Sequence, residues 1–292
     1  GSRLLRNWIS QPLLDISEIY QRSNTISEFK NSPEILKKIS DQLETISDLQ
    51  RLISKVNSGS ANPRDLLAIS SSLKGISKIK QILQNSKTSN LAWLNSPLNS
   101  HSDIIHLISS SINNDASTLI GNGKTIQKGF SKELDNLIKI SQNSQTSIAN
   151  LENKEKQKSG IKSLKIGFNR VFGYYIEISK SNLSQVPEGY IRKQTLVGAE
   201  RFITEELKIF EDEILNAKEK IENIENDIFK QICHQISLSI DSILDSAKGV
   251  SIIDVLCSLT TASTVNNYVK PKISNNLDLE INDSRHPVVE KL

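Results

Sequence analysis

The feature that most constrains this chain is a long stretch, from Gly198 to Gly249, whose interior contains neither glycine nor proline. Because these two residues are the ones that most often interrupt a helix, the stretch favours helix. Its apolar residues recur at steps of three or four: Leu207, Phe210, Ile214, Ala217, Ile221, Ile224, Ile228, Ile232 and Ile236. About 40 residues of helix would extend roughly 60 Å. A helix of that length is typical of a coiled-coil-like pair or of an extended arm.

The first half of the chain shows the same helical spacing. Pro33 and Pro63 are suited to the first positions of two helices, and a third helix is predicted from about Ser102 to Ile120. A fourth helix is predicted from about Ser131 into the lysine-rich stretch around Glu155. This fourth helix is the natural antiparallel partner of the long helix.

The spacing changes from helical to alternating between Ile161 and Ile203. Residues 164–168 alternate as in a half-buried strand, residues 174–178 form a partner strand, and residues 190–196 are a further extended stretch. The predicted fold class is therefore mainly α, with a small antiparallel β-sheet at the tip of two long antiparallel helices.

Charge is concentrated in this β region. The whole chain has a net charge of only +3, from 36 basic and 33 acidic residues. Residues 161–203 hold the cations Lys162, Lys165, Arg170, Lys180, Arg192, Lys193 and Arg201 against the anions Glu177, Glu188 and Glu200. A basic tip on an otherwise neutral arm would attract phosphates and bind DNA without sequence preference. Ordinary surface variation and an acidic protein partner are the two alternatives.

The aromatic residues of the β region also have two interpretations. They could stack on nucleic-acid bases, or they could form the core of the small sheet, which is the preferred interpretation. The residues concerned are Phe168, Phe172, Tyr174, Tyr175 and Tyr190.

No catalytic machinery is evident in the sequence. Gly121-Asn122-Gly123-Lys124-Thr125 resembles the end of a phosphate-binding loop, but Thr118 occupies the position where that loop needs its first glycine. A helix-ending turn is therefore preferred over a nucleotide site. His101 and His106 are five residues apart, which does not suit a shared metal on one helical face. The predictions are no catalytic residue, no cofactor site, no metal site and two reduced thiols.

Several strings of residues resemble the MutS family of DNA mismatch-repair proteins. The most specific are residues 166–178, residues 186–196 and the Ala199-Glu200-Arg201-Phe202 segment, which resemble the clamp of that family. Residues 5–13, 48–52, 61–66 and 285–289 are similar to landmarks on either side of the clamp. The resemblance thus extends over nearly the whole chain.

The resemblance implies an organisation and a function. Residues 1–158 would be a helical core and outgoing lever, 159–204 a DNA clamp, 205–270 the returning lever and a core helix, and 271–292 the start of an ATPase domain. The clamp would grip the phosphate backbone of double-stranded DNA without reading bases. The contact residues implied are Arg170, Lys180, Asn182, Arg192, Lys193, Gln194, Thr195 and Gly198. At Gly198 the family often has Asn, so only a backbone N–H would remain for contact there.

The same resemblance implies properties of a longer parent protein. Since the chain contains no Met, a fragment is the expectation. The parent would be a cytoplasmic, nucleoid-associated homodimer that binds ATP and Mg²⁺ in a part outside this chain and works with partners of the MutL type. The chain alone is expected to be a monomer without enzymatic activity, and no membrane association is predicted. The alternative is a structural coiled-coil protein whose basic β region binds an acidic protein, and a nucleotide-binding enzyme is a third hypothesis.

Overall fold

The computed structural model describes the chain except for Lys87, Arg170, Phe172, Leu277 and Leu292, and it omits the side chains of residues 144–146 and 291. The α-helices are α1 (Ser2–Ser10), α2 (Ile16–Asn31), α3 (Pro33–Leu43), α4 (Leu49–Asn57), α5 (Pro63–Asn85), α6 (Ser89–Ala92), α7 (Ser102–Ser111), α8 (Lys132–Ser159), α9 (Glu205–Ser237) and α10 (Ile240–Val265). Strands β1 (Lys165–Asn169), β2 (Gly173–Ser179), β3 (Ile191–Thr195) and β4 (Ala199–Ile203) lie between α8 and α9. The mainly α fold class with a small antiparallel sheet is confirmed.

The chain divides into two compact units. The first consists of Gly1–Gln50, Ser71–His101 and Ile240–Leu292, and the second of Arg51–Ser70 and Ser102–Ser239. Whether the domains divide at residues 158, 204 and 270 stays a prediction.

In the first unit, α10 packs against α1, α2 and α3. The helix runs through Gly249, the residue that ends the stretch without glycine or proline in the sequence. The glycine has a packing reason, because a Cβ atom there would lie only 2.7 Å from Cγ of Pro97. The loss of helix propensity is thus offset by close contact with a neighbouring loop.

In the second unit, α8 and α9 pack against each other. The helix α9 has 33 residues, which at 1.5 Å each is about 50 Å and shorter than the predicted 60 Å. It begins where the side chain of Thr204 accepts the N–H of Leu207, with Glu205 and Glu206 in the first turn. The third helix is also shorter than predicted, since α7 ends at Ser111.

The four strands form one antiparallel sheet in the order β1-β2-β4-β3. Strand β4 was not predicted as a separate strand, although residues 199–203 lie inside the predicted β region of residues 161–203. One face of the sheet and the adjoining helix ends share a hydrophobic core, made of Leu151, Ile161, Leu164, Ile176, Ile178, Phe202, Ile203 and Leu207. The sheet therefore packs directly on the ends of α8 and α9.

Candidate nucleic-acid interface

Strand β3 forms one edge of the sheet, and its side chains are the most exposed of the four strands. Arg192, Lys193 and Thr195 are exposed, and Gln194 is partly buried. An edge strand leaves one row of backbone groups unpaired within the sheet, and cations on it discourage pairing with another chain. Three predicted contact residues are therefore open to solvent along one edge.

A β-bulge interrupts this edge strand at Lys193. Arg192 is opposite Phe202 and Gln194 is opposite Arg201, so Lys193 is the extra residue. Without a bulge, residues 192 and 194 would point to the same face, because side chains alternate along a strand. The bulge places Arg192 on the face of Phe202 and Gln194 on the opposite face. Bulges commonly re-aim side chains in this way next to functional sites.

The two arginines near the bulge are bound to acidic partners within the sheet. Nε of Arg192 lies 2.8 Å from Oε2 of Glu200. On the other face, Nε of Arg201 donates to Glu177 at 3.0 Å, one terminal nitrogen donates to Gln194 at 2.9 Å, and the guanidinium stacks 4.0 Å over the ring of Tyr175. The side chains of Arg201 and Gln194 are therefore hydrogen-bonded to each other within the sheet.

These pairs leave a set of lysines that form no ion pair. Within the part of the sheet region that the structure describes, four exposed lysines form no ion pair: Lys162, Lys165, Lys180 and Lys193. Two of the three acidic residues of this region, Glu177 and Glu200, are already bound to arginines. The positive charge available to a ligand therefore comes mainly from lysines, of which Lys180 and Lys193 are predicted contact residues.

A second group of predicted residues meets at one end of the sheet. The N–H of Lys180 donates to the carbonyl oxygen of Gly198 at 3.1 Å. Gly198 belongs to the hairpin turn at residues 196–198, which follows directly after Thr195, the last residue of β3. Asn182 donates its side-chain amide to Oγ of Ser163 at 3.0 Å and of Ser179 at 3.1 Å. Both amide hydrogens of Asn182 are thus used within the protein. Of the predicted contact residues, only Arg170 lies outside the described residues.

Two carboxylates of α8, one partly exposed and one buried, hold the sheet. Glu152 accepts the N–H of Ile166 on β1 at 3.0 Å and binds Nζ of Lys156 at 2.6 Å. The hydrogen bond from Ile166, followed by that from Lys156, lowers the pKa of Glu152. Glu155, which is 1% exposed, accepts the hydroxyl of Tyr190. Burial, followed by this hydrogen bond, raises the pKa of Tyr190.

The aromatic residues divide between core and surface. Tyr190 and Tyr174 pack against the hydrophobic core, as the core interpretation predicts. Phe168 is 53% exposed and contacts Tyr174 with tilted rings whose centroids are 4.9 Å apart. Phe172 lies outside the described residues.

The glycine-rich loop at residues 121–125 binds a carboxylate of the chain itself. Oε2 of Glu225 accepts the N–H groups of Gly121 at 2.8 Å and Gly123 at 3.1 Å. Oε1 accepts those of Thr125 at 2.8 Å and Ile126 at 3.3 Å. Glu225 is fully buried. The backbone amides that a phosphate-binding loop would offer to a nucleotide are therefore already occupied.

Sequence reasoning missed Glu200, Glu225 and the bulge at Lys193. A signal for Glu225 was present, because it lies four residues after Ile221 and four before Phe229, in the middle of an apolar stripe. Both flanking residues are buried, whereas the predicted stripe residues Ile224 and Ile228 are only partly buried. The buried face of the helix therefore contains Glu225 between Ile221 and Phe229. Its carboxylate is accommodated among apolar residues because the loop supplies hydrogen-bond donors to it.

In the described part of the chain, no helix is both long enough and apolar enough to cross a membrane. Comparison with protein families matches residues 1–260 to MutS domain III. Over 292 residues the chain is 44% identical to the DNA mismatch repair protein MutS of Caldicellulosiruptor saccharolyticus, covering all of this chain and 34% of that protein.

Two further relatives carry the same name. The protein of Clostridium tetani is 43% identical over 293 residues, with 33% of it covered. That of Flavobacterium johnsoniae is 42% identical over 291 residues, with 34% covered. The chain thus spans about a third of the length of these relatives. A family match over most of the chain, a sheet at the tip of paired helices, and identity above 40% lead to one conclusion: this chain belongs to the MutS family.

Proposed function

We propose that this chain grips duplex DNA through its phosphate backbone, using the sheet between α8 and α9 as the contact surface. The observation that carries the proposal is the bulged edge strand, on which Lys193 is exposed and has no acidic partner among the described residues. Arg192 and Thr195 flank it, and Lys180 and Gly198 supply a lysine and a backbone amide at the nearest end of the sheet. Arg170 completes the proposed set by resemblance alone.

The chemistry of these groups suits phosphates better than bases. Lysine, arginine, threonine and backbone N–H groups are donors, and contacts of this kind position a protein on DNA without specifying sequence. Gln194 accepts a hydrogen bond from Arg201, and Asn182 donates both amide hydrogens to serines of the same region, so their proposed role is to support neighbouring residues. Binding should therefore be insensitive to a mismatch and sensitive to salt.

The paired helices supply a route by which binding reaches the rest of a larger protein. Glu152 accepts a backbone N–H of the sheet and Glu155 accepts the hydroxyl of Tyr190, and Lys154 pairs with Glu206 of α9 at 2.6 Å. A sheet held in this way would move together with the helix ends. We propose that α8 and α9 act as a lever that couples DNA contact to an ATPase domain.

The properties of the whole protein form part of this proposal. The relatives are named DNA mismatch repair proteins, and this chain corresponds to about a third of each. We propose that ATP and Mg²⁺ bind elsewhere in the parent protein, that this chain performs no catalysis, and that the parent is a cytoplasmic homodimer with repair partners of the MutL type. In the described part of this chain, the loop that most resembles a nucleotide site is occupied by Glu225.

The test is binding of the chain to a matched duplex and to a duplex with one mismatch, each at roughly 50 and 200 mM salt. Fluorescence anisotropy should give equal affinities for the two duplexes and a large loss at the higher salt. A strong preference for the mismatch would contradict a backbone grip. If the monomer does not bind, the chain is fused to a dimerising coiled coil and measured again. Absence of binding by the dimer would favour an acidic protein as partner.

A further inference from the structure

Glu200 is a carboxylate where a DNA-contacting sheet has no evident need for one. It lies on β4 and is only 5% exposed, on the face that carries the core residues Ile178 and Phe202. Its ion partner is Arg192 of the edge strand, and Oε2 accepts no aligned hydrogen bond. Burying a carboxylate costs free energy unless a cation pairs with it. The burial of Glu200 therefore depends on its contact with Arg192, and the reason for placing this pair in the sheet has to be found.

The bulge at Lys193 is what allows the contact. Arg192 is opposite Phe202, and Glu200 lies two residues further along β4 on the same face. The side chain of Arg192 reaches diagonally across the strands to Glu200, yet it remains 62% exposed. The pairing uses Nε, and both terminal nitrogens of the guanidinium are without a hydrogen bond in the described part of the chain. Those nitrogens carry four N–H groups in a rigid plane.

We propose that Glu200 is a positioning residue, which fixes the guanidinium of Arg192 so that its terminal N–H groups face a phosphate of the duplex. This inference rests on the proposed DNA-binding function. A freely rotating arginine loses conformational entropy when it binds, and holding its Nε in advance removes part of that cost. The planar fork of arginine then meets the phosphate oxygens in two parallel hydrogen bonds.

The proposal and simple charge repulsion predict opposite changes in DNA affinity when Glu200 is replaced. If Glu200 acted only through its charge, its removal would lessen the repulsion of DNA and tighten binding. As a positioning residue, its removal weakens binding although a negative charge is lost. The variants are therefore Glu200→Gln, Arg192→Gln and the double variant, each measured on the matched duplex at two salt concentrations.

We expect Glu200→Gln to weaken binding by about three- to tenfold, which is about the size of the conformational entropy lost when one long side chain is immobilised on binding. In the Arg192→Gln background, the same change should have no further effect, because Glu200 acts through Arg192. Circular dichroism and thermal melting check that each variant is folded. Equal or tighter binding by folded Glu200→Gln would overturn the proposal, as would an equal loss in both backgrounds, which indicates a merely structural role.

A second variant keeps the test decisive if Glu200→Gln does not fold. Arg192→Lys retains the positive charge but loses Nε and the planar fork. It should bind more weakly than the unmodified chain, with an almost unchanged salt dependence. Binding equal to that of the unmodified chain would show that no fixed guanidinium is needed. If the unmodified chain binds no DNA even as a forced dimer, both the proposed function and this inference are overturned.

Discussion

Glu225 of α9 holds Gly123, which lies 102 residues earlier in the chain, by a hydrogen bond from the backbone N–H to Oε2 at 3.1 Å. Three more backbone N–H groups of the same loop donate to this carboxylate. One side chain thereby satisfies four donors, so the segment between α7 and α8 is fastened to the long helix. Buried donors of this kind are costly when they lack an acceptor.

Replacing Glu225 with alanine should therefore destabilise the second unit strongly. Four N–H groups lose their acceptor, and we expect a loss of about 3 kcal/mol or more in the free energy of unfolding. Hydrogen exchange of peptides covering residues 118–127 should accelerate at the same time. Glu219→Ala, on the exposed face of the same helix, is the matched control. Unchanged exchange of the loop in Glu225→Ala would contradict the fastening role.

The hydroxyl of Tyr190 should contribute to stability in addition to the packing of its ring. Tyr190→Phe removes the donor that the buried Glu155 carboxylate accepts, and we expect a loss of about 1–3 kcal/mol in urea unfolding. Tyr175→Phe is the control, because its hydroxyl has no hydrogen-bond partner in the described part of the chain, and it should cost much less. Equal losses for the two variants would show that the Tyr190–Glu155 contact adds nothing specific.

His101 should make the first unit sensitive to mild acid. It is 4% exposed, with Nε2 at 2.9 Å from Oγ of Ser246, and burial together with the charge of Lys80 lowers its pKa below the usual 6.5. Below pH 6.5 the unfolded chain therefore binds a proton that the folded chain resists. This contribution is complete above pH 6.5 and is lost as the pH falls toward the lowered pKa. Thermal melting of His101→Gln should show a weaker decline between pH 7 and 5, and identical declines would refute the assignment.

Gly198 offers a test by gain of binding. Its backbone does not require glycine, and a Cβ atom there would meet nothing within 4 Å. Gly198→Asn should fold normally and add one polar donor beside the phosphates, which tightens DNA binding by about threefold. Gly198→Ala should leave the affinity unchanged. If asparagine brings no gain over alanine, the hairpin turn at residues 196–198 does not contact the backbone.

Several of the helices and three of the strands could be predicted because their apolar spacing is local. The helix start at Pro63 and the helix α8 follow from such patterns. Strand β4 was missed because residues 199–203 precede the long helix without a glycine or proline between them. The capping residue Thr204, followed by two glutamates, was the available signal for the true helix start.

The site was predictable in composition but not in its internal pairing. Lys193 and Arg192 stand next to each other in sequence, yet the bulge gives them different environments. Only Arg192 has a carboxylate partner, Glu200. This difference depends on the register between β3 and β4, which the local sequence does not determine. The burial of Glu225 likewise depends on a loop about one hundred residues away.

The central claim is that the sheet binds DNA through phosphates at its bulged edge. Its most direct test is the dependence of affinity on salt for Arg192→Glu with Lys193→Glu, compared with Lys218→Glu with Lys220→Glu, which makes the same charge change on exposed positions of α9. The first pair should weaken binding to matched and mismatched duplexes alike and reduce the slope of log K against log salt by about 0.9 for each lost contact. The control pair should retain most of the slope. Equal affinities and slopes for the two pairs would contradict the account.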